Sequence, residues 1–381
     1  MATIKRTLPP KDEQKPVNSA LKKFLKDARH YNDVIPEELV ISSGSLTLDA
    51  TFKVRTGMVL RLVGKGAELG KTAQSFVFMD SYLKTIPKSK GLYIKAEGRL
   101  SRAKLEKAGL KFVYELEEWV EGTVFVVCSN VAEPIFDMLK NTLEEAHEAG
   151  EHVAWIIDSM DGLILQDDLA KGITNGSMMV AGVPKLTKLL FRHIALPTAH
   201  YDSLGIITGQ YAAQIKIDTY APTSPNQGSS SNGSSAQHQA DYVFEYQPVN
   251  QGDLILEDAG GKPDVLKNKI LGKFARIKIL KSADDVTGGV YTVPIRRGEE
   301  YKGASQIWKS KEVADMLIQY EMIKKGGAWL TFEEDVLASA KEAGFEVQAK
   351  INGINQFYDY LEENKDIMEY FYNKILALIQ Q

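Results

Sequence analysis

The chain has 381 residues, 44% of them apolar and 25% charged, with a formal net charge of −4. These values exclude a disordered chain and a fibre, and they describe a globular protein with room for a large core plus one or two smaller modules. There is no global basic signature, so any nucleic acid must be held by local patches. The lone cysteine, Cys128, precludes an internal disulfide; within Val124-Phe125-Val126-Val127-Cys128 it is expected to be a buried strand residue. The six histidines show no metal-ligand spacing, and no run approaches the roughly eighteen apolar residues of a membrane span. Met1 to Lys15 is polar and lacks the apolar stretch of a signal peptide, so a cytoplasmic protein with no membrane partner is expected.

Residues 1 to 35 form a basic arm, with Lys5, Arg6, Lys11, Lys15, Lys22, Lys23, Lys26 and Arg29 against Asp12, Glu13, Asp27 and Asp33. Val17, Leu21, Phe24, Leu25 and Ala28 recur at helical spacing, with Asn18 or Ser19 placed to cap. So short a helix needs a surface to lie on, either its own core or a neighbouring subunit. Next comes Ile41-Ser42-Ser43-Gly44-Ser45-Leu46-Thr47-Leu48-Asp49-Ala50, with a short connection after it that ends at Gly57.

Val59-Leu60-Arg61-Leu62-Val63, then Gly64-Lys65-Gly66-Ala67-Glu68-Leu69-Gly70-Lys71-Thr72, then a helical pattern through Phe76 and Met79, reads as strand, phosphate-binding loop and helix. Glycines let backbone N–H groups face a phosphate, the helix N-terminus adds partial positive charge, Lys71 reaches the outer phosphates and the Thr72 hydroxyl can ligate Mg²⁺. A nucleoside triphosphate with Mg²⁺ is therefore the expected ligand. The strict spacing would put the first glycine at Lys65, so either the loop is one residue longer from Gly64 or Gly66 takes over the turn.

Downstream, Leu92-Tyr93-Ile94-Lys95-Ala96 is a short strand ending in Glu97, where a carboxylate can orient water toward a γ-phosphate. A strand at Val124 to Cys128 and a helix from about Ala132 to Ala149, with Ile135, Leu139 and Leu143 on one side, lead to Val153-Ala154-Trp155-Ile156-Ile157-Asp158-Ser159. An aspartate at such a strand end is suited to hold Mg²⁺ or its water. Gly162 to Gly176 reads as a glycine-containing loop carrying Lys171, and a helix from about Met178 to His193 carries Lys185 and Arg192. Leu204 to Gln210 is the next core strand. Tyr211 to Gln239, with Pro222, Pro225 and Ser229-Ser230-Ser231-Asn232-Gly233-Ser234-Ser235, cannot bury apolar surface and is expected to be a mobile loop between strands of one sheet. Strands are expected at Val243 to Tyr246 and Phe274 to Lys281. From about Ala304 the tail reads as a separate module, with a helix around Val313, Leu317 and Ile318 and further helices ending at Ile379.

In order and spacing these segments resemble the RecA family of DNA strand-exchange proteins. The likeness begins at Ser43-Gly44-Ser45-Leu46-Thr47-Leu48-Asp49. It continues through the phosphate loop, Ala96-Glu97 and Asp158, and ends in Lys325-Gly326-Gly327-Ala328-Trp329, Lys350-Ile351-Asn352-Gly353 and Phe357 to Asn364. That last set distinguishes the family from ring helicases with the same core. The resemblance implies an α/β fold: a RecA-like P-loop ATPase core with a twisted, mostly parallel sheet over residues 36–303, an N-terminal oligomerisation helix in 1–35, and a small C-terminal α/β domain over 304–381. It makes Glu97 the catalytic carboxylate, Asp158 a magnesium residue, and Gln210 and His238 sensors of the γ-phosphate. Lys281 becomes the lysine that reaches a neighbour's ATP, with Ala283 standing where bacterial members have a second. DNA-binding loops are implied at about 162–177 and 211–239, and the implied DNA-binding residues are Lys171, Lys185 and Arg192 on the helix that follows, and then Tyr211, Lys216 and Tyr220, which offer phosphate contact and base stacking. The family's adenine-stacking tyrosine has no counterpart near Lys104. The implied activity is DNA-dependent ATP hydrolysis with homologous pairing and strand exchange, in recombination and repair, by a helical filament on single-stranded DNA. Its partners would be homologous double-stranded DNA, further copies of the chain, and single-strand-binding and mediator proteins in a bacterial or phage-infected cell. A ring-forming motor, and a DNA-binding filament with little ATP hydrolysis, are the alternatives.

Overall fold

The structure is a computed structural model that describes residues 19–27, 30–32, 36–64, 69–98, 105, 108–175, 182–210, 239–264, 266–296 and 307–379. The chain divides into two units, residues 1–35 and 36–381. In the first, α1 (Ser19–Asp27) confirms the helical spacing; none of its residues is buried, and Leu21 and Phe24 are exposed.

The second unit is α/β and is built on a ten-stranded sheet. In chain order its strands are β3 (Val59–Gly64), β4 (Ser89–Lys95), β5 (Lys111–Val113), β6 (Thr123–Val127), β7 (His152–Asp158), β8 (Leu204–Gln210), β9 (Tyr242–Tyr246), β10 (Leu254–Leu256), β11 (Ile270–Lys281) and β12 (Val290–Arg296). A small separate ladder pairs β1 (Val40–Ile41) with β2 (Val54–Arg55). Across the large sheet the order is β10-β11-β9-β3-β8-β7-β4-β6-β5, with β12 on the free side of β11. From β9 to β5 all pairings are parallel, while β10, β11 and β12 form an antiparallel flank.

Alternation along the strands sorts the core into two layers. Leu60 and Leu62, Tyr93, Ala154 and Ile156, and Leu204 and Ile206 face α3 (Lys71–Thr85), which contributes Phe76, Phe78, Met79 and Tyr82. Val59 and Val63, Leu92 and Ile94, Trp155 and Ile157, and Ile207 face α4 (Ala132–Glu148) and the helix Gly182–His200. Trp155 pairs in register with Gly205, and a Cβ at Gly205 would lie 2.2 Å from the indole. The missing side chain is what lets the fully buried Trp155 lie across β8.

Residues 307–379 add a three-stranded antiparallel sheet of β13 (Ile323–Gly326), β14 (Trp329–Phe332) and β15 (Lys350–Asn352), with four helices. Leu317, Phe357 and Phe371 of this segment share a core with Leu46 and Ile255 of the main body. Polar contacts complete the junction. Glu312 accepts from Ser45 Oγ at 2.8 Å and Leu46 N at 3.0 Å, at the start of α2 (Leu46–Thr51). The Tyr372 hydroxyl donates to Asp49 at 2.6 Å, and Asp49 also accepts from Ser43 N at 2.7 Å. The Gln74 amide of α3 donates to the Ser43 carbonyl at 2.6 Å. The Ser-Gly-Ser-Leu-Thr-Leu-Asp segment thus ties α3 to the C-terminal helices.

Three sequence expectations are corrected. Strand β6 stops at Val127, so Cys128 emerges at the sheet edge and is exposed rather than buried. Within the stretch expected to be a glycine-containing loop, Gln166–Asn175 is a helix, started by Asp167 and Asp168 in its first turn, where carboxylates favour the positive end of the helix dipole. The following helix runs on to His200 with Pro197 inside it, beyond the expected end at His193. Among the described residues no helix is long and apolar enough to cross a membrane.

Candidate nucleotide site

Parallel pairing places the carboxyl ends of β3, β8, β7 and β4 side by side at one edge of the sheet. Gly64 lies opposite Gln210, and Lys95 opposite Asp158. The two-residue period then decides which side chains meet. Asp158 follows Ile156 on the α3 face of β7, Thr208 follows Ile206 on β8, and Tyr93 occupies the same face of β4. At this edge α3 begins, with Gly70 as its N-cap at φ +100 and Lys71 and Thr72 in its first turn.

The contacts reflect that convergence. Thr72 Oγ1 donates to Asp158 Oδ2 at 3.0 Å, as does the Tyr93 hydroxyl at 3.1 Å, and Thr208 Oγ1 donates to Asp158 Oδ1 at 2.5 Å. The half-buried Glu97 accepts a hydrogen bond from Ser159, and the Asp158–Ser159 peptide bond is cis. The Gln210 backbone N–H donates to Asp161 Oδ2 at 2.6 Å. Gly162 brings its turn against Glu97, since a Cβ there would lie 2.9 Å from the Ala96 carbonyl oxygen and 3.0 Å from Glu97 Cγ. Burial pushes the pKa of the Lys71 ammonium down, and the nearby Asp158, Asp161 and Glu97 carboxylates pull it back up. Burial, then the charge and hydrogen bond of Asp158, push the Tyr93 hydroxyl far above its ordinary pKa, so it stays protonated.

The donor set fits a magnesium nucleotide. One ammonium beside hydroxyl and carboxylate oxygens suits phosphate and a hard divalent cation. Close packing requires glycine at two positions beside it: a Cβ at Gly64 would lie 2.7 Å from the Tyr246 carbonyl oxygen, and one at Gly70 would lie 2.3 Å from Ile295 Cδ1. Among the described residues no group of three or more His, Cys, Asp and Glu side chains is placed to hold a metal alone.

Of the residues expected from sequence, Gly64, Gly70, Lys71, Thr72, Glu97, Asp158 and Gln210 come together at this edge. Lys281 does not. Its Nζ donates to the Ala240 carbonyl, just before β9 begins, at the opposite edge, where Asp241 accepts from Val59 N at 2.7 Å. Lys171 lies on the helix Gln166–Asn175 and Lys185 on the helix Gly182–His200, where Arg192 is exposed. Gly66, Tyr211, Lys216, Tyr220 and His238 lie outside the described residues. Sequence reasoning missed Tyr93, Ser159, Asp161 and Thr208. Counting by twos back from Gln210 and from Glu97 would have found Thr208 and Tyr93, whereas Ser159 and Asp161 sit on a turn that no period describes.

Compared with models of protein families and with curated proteins, the chain matches none.

Proposed function

We propose that the protein is an ATP-dependent recombinase of the RecA type, forming helical filaments on single-stranded DNA and promoting pairing and strand exchange with a homologous duplex. The observation that carries the ATPase part of this reading is the meeting of Lys71, Thr72, Asp158, Glu97 and Gln210 at the ends of four adjacent parallel strands. Lys71 would hold the outer phosphates, and Thr72 and Asp158 would hold Mg²⁺. When bound, the cation neutralises charge on the phosphates. Glu97, whose carboxylate is steadied by the Ser159 hydroxyl, would orient water and take its proton. Gln210 offers a neutral amide to a phosphate oxygen or to water.

The DNA part rests on the resemblance of the C-terminal motifs and on the aromatic and basic residues of 211–239. The resemblance gives Lys281, which lies at the sheet edge away from Lys71, a role toward a neighbouring subunit. Head-to-tail contact that does not close yields a filament.

The test is ATP hydrolysis with and without single-stranded DNA, with Glu97→Ala and Lys71→Ala as controls, alongside electron microscopy of the DNA complex. Strong stimulation by DNA, lost in both variants, together with open filaments is the expected result. Closed rings would move the reading to a motor ATPase. Filaments with intact pairing in Lys71→Ala would make the protein a binding filament and overturn the catalytic assignment.

A further inference from the structure

We propose that Tyr93 is a positioning residue that fixes the orientation of the Asp158 carboxylate toward a nucleotide-bound magnesium ion. The inference rests on the magnesium-nucleotide reading of the site and adds a residue for which the motif resemblance supplies no role.

Tyr93 is fully buried on β4, four residues before Glu97. Its ring meets Phe76 of α3 edge-on at 5.2 Å between centroids, and Phe112 of β5 at 6.0 Å. The hydroxyl therefore has one place to be, 3.1 Å from Asp158 Oδ2. A carboxylate presents about four lone-pair sites. Tyr93 and Thr72 occupy those on Oδ2, and Thr208 occupies one on Oδ1, so the acceptor direction that remains lies on Oδ1. Three hydroxyls hold the group without neutralising it. A lysine in place of Tyr93 would orient Asp158 too, but its charge would repel the cation that Asp158 is there to attract.

Tyr93→Phe keeps the ring and removes the donor. In the full-length protein, equilibrium binding of a fluorescent ATP analogue is measured against magnesium concentration, and again in chelator. Loss of an outer-shell partner typically weakens metal affinity about 10- to 100-fold, and with two hydroxyls remaining the lower end applies. Tyr93→Phe should therefore need about 10-fold more magnesium for half-maximal binding, with unchanged affinity in chelator and a melting midpoint close to that of the parent. Thr208→Val, which removes the donor on the other oxygen, should shift the magnesium dependence the same way. Unchanged magnesium dependence in Tyr93→Phe would overturn the proposal, as would an equal loss with and without the metal, which would mark a packing defect. A parent protein that binds nucleotide indifferently to magnesium would remove the underlying site reading, and this inference with it.

Discussion

Raising the pH through the window in which Glu312 ionises should weaken the fold, and the size of the effect is set by one junction. Glu312 is buried where the helix Lys309–Gln319 meets the start of α2, and burial lifts its pKa from 4.5 to about 7. Hydrogen bonds from Ser45 Oγ and Leu46 N oppose the rise without cancelling it. Below about pH 4.5 the carboxyl is protonated in both the folded and unfolded chains, and its full contribution to stability is present. Between 4.5 and about 7 the unfolded chain releases its proton first, so stability falls as pH rises; above about 7 both states are ionised and the loss is complete. The gap is worth about 3 kcal/mol. Other carboxylates contribute their own slopes, so the assay is denaturant unfolding across this range for the parent and for Glu312→Gln, read as the difference between them. The parent should lose about 3 kcal/mol relative to the variant across the window. A flat difference, or one that grows in the parent's favour with rising pH, would show that burial does not govern this carboxyl.

Three substitutions probe other parts of the same structure. Gly205→Ala should cost about 1–3 kcal/mol or more, seen as a lower melting midpoint, because a new Cβ would fall 2.2 Å from the Trp155 indole and neither strand can yield. Tyr372→Phe removes the hydroxyl that donates to the Asp49 carboxylate and should cost about 1.5–3 kcal/mol in chemical denaturation. Gly70→Ala should abolish binding of a fluorescent nucleotide, since φ of +100 strains any other residue and Ile295 fills the space. Retained binding would show that the N-cap of α3 is not the phosphate cradle.

The residues of the candidate site were legible largely because each sits at the end of a run with a clear period. Lys71 and Thr72 open a helix after a glycine turn, while Asp158, Gln210 and Glu97 close apolar strands. Strand ends are local features, and short-range spacing carries them. Cys128 failed for the complementary reason: whether a strand stops at Val127 or one residue later depends on its neighbours in the sheet. The segment Gln166–Asn175 failed because its glycine outweighed the helical signal of its acidic first turn.

By itself, then, the sequence determined the α/β alternation, the glycine turn before α3, and the polar and acidic residues that close the strands beside it. Tertiary structure alone decided which of them meet. The order β3-β8-β7-β4 sets Thr208 on β8, between β3 and Asp158 on β7, and Tyr93 on the far side of Asp158. The antiparallel return of β11 carries Lys281 to the opposite edge. Strand order across a sheet depends on packing between segments far apart in the chain, a quantity that no local period contains.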